Sequence, residues 1–389
     1  MITDDPMFAE PVVGTAAPPG ALLWPGEQAD FTEEDLDALL VWASDQGASD
    51  IRLETGKQVI VQRHGRVHRA TRRPLTIYEV ERATNRVYAA DGVARLRNAK
   101  DFNVAYETEP ERGRRYRFRV NASGALVRGV DGAALVARAL PTTPRPLETQ
   151  NVEPMIEEWF KPNNGMVIVA GSTGSGKSTL LSGFILRKLQ DPDSHRAIGE
   201  YSEPIEYVFD GCGGPTSEIT QIEIGRHLET FADGVRHAVR SNFDDIVVGE
   251  CRDAATMTAA IDAAQANHAV YLTVHAGSIY ETFQRMVSLC PAAVRDEMTI
   301  TLAQAVRLVV NQRLIWSADG TRTPIREWMV CDRETRRMLG GTPPKSWPII
   351  MENQAKALKC SYSHSIHRAL DETRITEAVA LKHLKELEA

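Results

Sequence analysis

The sequence predicts an α/β protein: a mixed α/β N-terminal domain, a phosphate-loop domain on a parallel sheet, and a helical C-terminal region. Three observations carry this. First, Met166-Val167-Ile168-Val169-Ala170 is an apolar run rich in β-branched residues and reads as a buried strand. It leads into Gly171-Ser172-Thr173-Gly174-Ser175-Gly176-Lys177-Ser178-Thr179, after which Leu180, Leu181, Phe184, Ile185 and Leu189 recur at helical spacing. Strand, glycine loop and helix in that order are the context a phosphate-binding loop needs. Second, strand-like and helix-like segments alternate through the second half, the pattern of a parallel sheet with right-handed crossovers. Third, Pro141-Thr142-Thr143-Pro144-Arg145-Pro146 separates the halves with a proline cluster that favours a stiff, extended linker.

Taken in order, residues 1–29 are rich in Pro, Gly and Ala without periodicity and are expected to form a disordered, mobile tail. The N-terminal domain, 30–140, opens where Thr32 caps a helix with Asp35 at capping-box spacing. Leu36, Leu39, Leu40 and Ala43 form that helix's apolar stripe. A strand run at Gln58–Gln62 meets a turn at His64-Gly65, and a second helix covers Ile77–Tyr88. Over Arg115–Val120 the side chains alternate: Arg115, Arg117 and Arg119 on one face, Tyr116, Phe118 and Val120 on the other. Another strand pattern lies at Ala134–Ala139. Residues 141–150 are the linker, 151–320 the phosphate-loop domain, and 321–389 the helical C-terminal region.

The 389 residues are 43% hydrophobic and 25% charged, ordinary for a globular chain of about two or three domains. A net charge of −7 provides no overall attraction to nucleic acid or acidic membranes. No apolar run approaches the roughly 18–20 residues that cross a bilayer. Asp4, Asp5 and Glu10 near the start are unlike a secretory signal. The scattered Cys212, Cys251, Cys290, Cys331 and Cys360 have no metal-ligand spacing and read as reduced thiols. A cytoplasmic protein is expected, with any membrane role reached through a partner.

The loop carries the first chemistry. Its glycines let the backbone turn tightly and aim N–H groups at phosphate oxygens, and the following helix adds the positive end of its dipole. Lys177 is placed to reach the β- and γ-phosphates and the Ser178 hydroxyl to ligate Mg2+. Asp245-Ile246-Val247-Val248-Gly249-Glu250 reads as a second strand ending in an acid, and ligands of parallel sheets bind at that edge. Glu250 could hold the Mg2+ water shell or polarise the attacking water. His268 and His275 flank a third strand, residues 269–274. His275, at the carboxyl end, can reach a γ-phosphate; paired histidines at strand ends are more often structural.

The phosphate loop, Ser202-Glu203-Pro204-Ile205-Glu206-Tyr207, Val247-Val248-Gly249-Glu250-Cys251-Arg252-Asp253 and the histidine box at 268–275 follow in an order that resembles the secretion-ATPase superfamily of type II and type IV secretion and type IV pili, PilT-like motors included. Gly47-Ala48-Ser49-Asp50-Ile51 and Arg119-Val120-Asn121-Ala122 resemble its PAS-like N-terminal domain. Arg112-Gly113, Tyr116-Arg117, Leu140-Pro141-Thr142-Thr143-Pro144 and Phe231-Ala232-Asp233-Gly234-Val235-Arg236 are similar to DotB-like ATPases of type IVB secretion and IncI-type conjugation. The likeness covers roughly residues 30–330.

That resemblance implies a PAS-like domain followed by a RecA-like ATPase domain. It implies a hexamer that binds ATP and Mg2+ and sits peripherally at the cytoplasmic face of the inner membrane, held by secretion-system components. ATP would lie between the domains, with Arg115, Arg117, Arg119, Arg128 and Arg138 as candidates to reach it and Arg117 as a catalytic arginine. Lys177, Glu250 and His275 would be catalytic, with Ser178 and Glu250 on the metal. The family's acidic box usually carries a glutamate two residues before the proline as the base that activates water; here Ser202 stands there, and Glu203 is the expected substitute, with Glu206 and Glu250 behind it. Phe243 and Ala276 replace the usual proline and threonine. The rival readings are a pilus retraction motor and a nucleotide-binding switch with weak turnover. A DNA translocase is disfavoured, because the arginine strand's aromatics point to the opposite face and no direct DNA readout is expected.

Overall fold

The computed structural model describes residues 22–63 and 66–388, in two compact units divided between Thr142 and Thr143. In the first unit α1 (Glu33–Asp45) is followed by β1 (Asp50–Glu54), β2 (Ile60–Arg63) and β3 (Arg66–Arg69). Then come α2 (Ile77–Val87), α3 (Gly92–Arg97) and the long strands β4 (Phe102–Glu111), β5 (Arg114–Val127) and β6 (Val130–Leu140). The strands form one antiparallel sheet in the order β3-β2-β1-β6-β5-β4. The Thr32 side chain accepts from Asp35 N and the Asp35 carboxylate from Thr32 N, the reciprocal cap that the spacing predicts. Leu36, Leu39, Leu40 and Ala43 are all buried against Phe118 and Val120 in one core. The turn expected at His64-Gly65 lies outside the described residues.

Most of the tail expected over 1–29 also lies outside the described residues, but its last part is corrected. Trp24 is 4% exposed in this core, edge-on to Phe31, with its backbone N–H bonded to Ala70 O at 2.8 Å. Glu27 accepts the backbone N–H of Arg72 and of Arg73. A single large aromatic without periodic neighbours leaves no pattern for sequence reading to find.

The second unit opens with α4 (Pro154–Trp159), β7 (Gly165–Ala170), α5 (Lys177–Gln190), β8 (Ala197–Ser202) and β9 (Glu218–Glu223). It continues with α6 (Phe231–Arg240), β10 (Asp245–Val248), α7 (Ala254–Gln265), β11 (Ala269–Val274), α8 (Ile279–Leu289) and α9 (Arg295–Ala305). Last come β12 (Val306–Trp316), β13 (Arg322–Val330), α10 (Arg333–Gly341), α11 (Trp347–Leu358), α12 (Tyr362–Asp371) and α13 (Glu377–Glu388). The sheet order is β13-β12-β7-β11-β10-β8-β9, parallel throughout except for β13 against β12. Every residue of β7, β10 and β11 is buried, which is why these strands read as unbroken apolar runs. Val167, Val169 and Val247 meet Leu180 and Phe184 of α5 on one face, while Met166, Ile168 and Val248 meet Met257 and Phe283 on the other.

Two boundary expectations are corrected here. The C-terminal region is not wholly helical from 321, because β13 extends the sheet; Gly320 turns the chain into a hairpin that helical reading overlooks. The expected 141–150 linker is not free chain. Leu147 is buried in the second unit's core, and Gln150 Nε2 bonds Thr179 O at 3.0 Å. Gly183 in mid-α5 allows this, since a Cβ there would collide with Gln150 and Leu147. Replacing Trp24 with alanine should destabilise the first unit by about 3–5 kcal/mol, read as a lower denaturant midpoint of its unfolding transition. An unchanged midpoint would return Trp24 to a tail.

Candidate active site

β7 ends at Ala170, and the loop turns through Gly171, Gly174 and Gly176 at φ of 149°, 75° and 84°. A Cβ on Gly171 would collide with the Gln312 carbonyl and Ser175 Oγ, so that turn requires glycine. Gln312 on β12 braces the loop, its Nε2 donating to Ser175 O at 2.7 Å. Gln312 Oε1 in turn accepts from Arg326 Nε at 2.7 Å, and the fully buried Arg326 pairs with Glu153 at 3.1 Å. Ser175 Oγ is buried without a hydrogen-bond partner, a donor that suits a phosphate oxygen. Helix α5 starts at Lys177 itself, so the N–H groups of its first turn face the loop.

Lys177 Nζ donates to the carbonyls of Gly171 at 2.9 Å and Ser172 at 3.0 Å, and lies 3.5 Å from His275 Nδ1. Burial pulls its pKa below the ordinary lysine value, opposed by the fields of Glu206 and Glu250. His275 follows β11, and its Nε2 is 3.7 Å from Glu250 Oε1, just beyond β10. An ammonium can only donate, so the arrangement favours a proton on Nε2 facing Glu250. Gly249 is pinned from both sides: its N–H bonds Tyr201 O at 2.7 Å and its carbonyl accepts Thr273 Oγ1 at 2.5 Å. Lys177, His275 and Glu250 are therefore brought together, and Ser178 sits on the same first turn of α5. His268 falls at the opposite edge of the sheet, where its Nδ1 meets Phe243 O at 2.7 Å, a structural placement.

The acidic box departs from expectation. Glu203 forms an ion pair with Arg252, whose guanidinium lies over the Phe231 ring on the α6 side. Arg252 also lies 3.8 Å from Glu250 Oε2, so it bridges the expected base Glu203 to the Glu250 edge, and Glu203 is engaged in an ion pair just beyond the end of β8. Ser202 Oγ instead donates to Glu200 Oε1 at 2.8 Å, with both residues 8% exposed. Tyr207 OH is 2.8 Å from Thr179 Oγ1, tying the box to α5.

In the first unit, Arg115 and Arg117 both pair with Glu107, at 2.9 and 3.3 Å, and Arg117 is 4% exposed. Arg119 Nε donates to Asn103 Oδ1 at 3.0 Å, and Arg138, its cross-strand neighbour, pairs with Asp50 at 2.8 Å. The arginines thus share one sheet face, each with an acceptor. Arg128 does not join them; it sits in the β5–β6 hairpin turn, roughly 30 Å along the strand from Arg119.

Beside the start of α5 a cleft of about 480 Å³ is lined by Gly176, Thr179, Gln312, Leu314 and Arg374. That volume is within the range of small-molecule sites. Glu200 and Gln312 were not singled out from the sequence. The available signal was a polar residue inside a buried strand, as at Ala197-Ile198-Gly199-Glu200 and Val309-Val310-Asn311-Gln312.

Comparison with known proteins agrees with this architecture. The family described as Type II/IV secretion system protein matches residues 26–380. The type IV pilus retraction ATPase PilT of Pseudomonas aeruginosa is 30% identical over 307 residues, 78% of this chain and 85% of PilT. The crystal structure of the Legionella pneumophila ATPase DotB superposes with a TM-score of 0.84 at 35% identity, covering 94% of this chain and 99% of DotB. The structure of the pilus retraction motor PilT with bound ADP gives 0.75 at 25% identity, covering 89% and 96%. These neighbours combine an N-terminal domain with a RecA-like ATPase domain, the same succession along the chain as the two units described above. With the family matched from residue 26 to 380, the chain is a member of the Type II/IV secretion system protein family.

Proposed function

We propose that this protein is a Mg2+-dependent ATPase whose hexameric ring powers a type IVB or conjugative secretion system. One observation carries the reading: Lys177, His275 and Glu250 converge at 3.5 and 3.7 Å beside the glycine loop. Lys177 and the loop N–H groups bind the β- and γ-phosphates, and the cleft beside α5 takes the nucleoside. The Ser178 hydroxyl and the Glu250 carboxylate are oxygen ligands that suit Mg2+ alongside phosphate oxygens. When bound, the ion would neutralise charge on the phosphates. His275 contacts the γ-phosphate and transmits its presence to Glu250. Phosphoryl transfer to water needs mainly positioning and charge stabilisation, so few groups suffice.

Arg117, with Arg115 and Arg119, is proposed to supply positive charge to ATP as the ring closes. Arg138 contributes to the same face once Asp50 releases it, whereas Arg128 would need a different contact. The likeness to DotB supports the secretion reading. The likeness to PilT supports a second one, retraction of a type IV pilus by the same enzyme. Among the described residues no helix is long and apolar enough to cross a membrane, so peripheral attachment at the inner membrane would run through partner proteins.

Two variants test the site. Lys177→Ala should bring phosphate release to background and weaken ATP binding by more than about tenfold, because a charge-assisted phosphate contact is lost. Wild-type turnover in that variant would remove the assignment. Glu250→Gln should keep ATP binding while turnover falls roughly 10²–10³-fold, the cost of losing one preorganised electrostatic group. Nucleotide titration and phosphate release on one preparation separate the two effects, and equal turnover would move the metal role elsewhere.

A further inference from the structure

Glu200 is an acid in the interior of a buried strand. Both of its carboxylate oxygens are engaged: Oε1 accepts Ser202 Oγ–H at 2.8 Å, and Oε2 accepts Gln221 Nε2 at 2.7 Å. The same Gln221 amide donates to Tyr207 O at 2.8 Å, and Tyr207 OH meets Thr179 Oγ1 in the first turn of α5. A chain of hydrogen bonds therefore leads from the phosphate-loop helix to the Glu200 carboxylate and out through Ser202. Ser202 is the last residue of β8, and its hydroxyl lies against Gly249, where a Cβ would come within 2.9 Å of it. That position is one residue from Glu250, on the sheet face that carries α5. A buried carboxylate held at both oxygens, with the Ser202 hydroxyl between it and the reactive edge, is arranged as a proton acceptor acting through serine.

We propose that Glu200, acting through Ser202, accepts the proton of the water that attacks ATP. The inference rests on the ATPase reading above. In the step, the water gives one proton to Ser202 Oγ as the serine's own proton passes to Glu200 Oε1. The water oxygen bonds to the γ-phosphorus. The bond from that phosphorus to the β–γ bridging oxygen breaks, and its electron pair leaves with ADP. Glu200 returns the proton through Ser202 to solvent as phosphate departs. Ser202 touches the reacting water, and Glu200 is a positioning residue that works through it. Glu203, paired with Arg252, and Glu250, assigned to the metal, are left to other tasks.

The test uses the full chain with MgATP and compares Ser202→Ala, Glu200→Gln and the double variant Glu200→Gln/Ser202→Glu. Each single variant should lower kcat by about 10²-fold, the scale of general-base removal, with ATP affinity changed less than about twofold. The double variant should recover most of the lost kcat, because a carboxylate at 202 reaches the water directly; since such a carboxylate supplies a base whatever Glu200 does, the relay itself is read from the two single variants and from the isotope curves. In H2O/D2O mixtures the wild-type rate should fall along a curve, from two protons in flight, and the double variant's along a line. Should Glu200→Gln fail to fold, Ser202→Ala still decides, since it removes only a hydroxyl. Wild-type kcat in Ser202→Ala, with Lys177→Ala inactive, overturns the relay and leaves the ATPase reading intact. No turnover by the wild type overturns both.

Discussion

A parallel sheet covered on both faces tolerates polar side chains within its strands only when they are paired, and that constraint organises this site. β7, β10 and β11 are buried along their whole length, and the charged residues that meet the loop follow these strands. Lys177 comes after β7, Glu250 after β10 and His275 after β11, while Ser202 ends β8. The strands run parallel in the order β7-β11-β10-β8, so their carboxyl ends fall along one edge. At about 4.8 Å between neighbours the four ends span roughly 15 Å, the scale of a triphosphate and its attacking water. Glu200 lies inside a strand, as Gln312 does in β12, and is tolerated because Ser202 and Gln221 engage both of its oxygens.

The loop is held by a second buried system. Arg326 bonds Gln150 O, Asn151 O, Glu153 and Gln312, and Gln312 fixes the Ser175 carbonyl. Removing one member of such a buried pair strands the other charge, at a cost of about 3–5 kcal/mol. The antiparallel strand β13 is thus part of the nucleotide site's foundation, because it carries Arg326. At the opposite edge Asp245 accepts Lys188 and Arg196, each at 2.7 Å, and locks α5 to the sheet. Helix α5 is consequently anchored at both ends, and the phosphate loop that leads into it is braced by Gln312.

What the sequence made legible follows from periodicity and local chemistry. The capping box at Thr32, the apolar stripe of α1 and the strand–loop–helix unit at 166–190 are each specified by neighbours within a few residues. The alternation at 115–120 placed Phe118 and Val120 in the core correctly. The failures are contacts between distant residues. Trp24 packs on Phe31 across a stretch without pattern, and β13 owes its place to pairing with β12. At the site, no local rule named Arg252 as the partner of Glu203. Glu200 lies two residues before Ser202 and so on the same face; reading the box from 202 onward hid it.

The central claim is that this edge hydrolyses ATP and does not merely hold it. Steady-state phosphate release by the purified wild-type chain, with ATP and Mg2+ in excess, tests this most directly. The account predicts sustained release over many turnovers per subunit, abolished when Mg2+ is chelated. Tight nucleotide binding with no release beyond a single turnover would contradict it and make the protein a nucleotide-held switch.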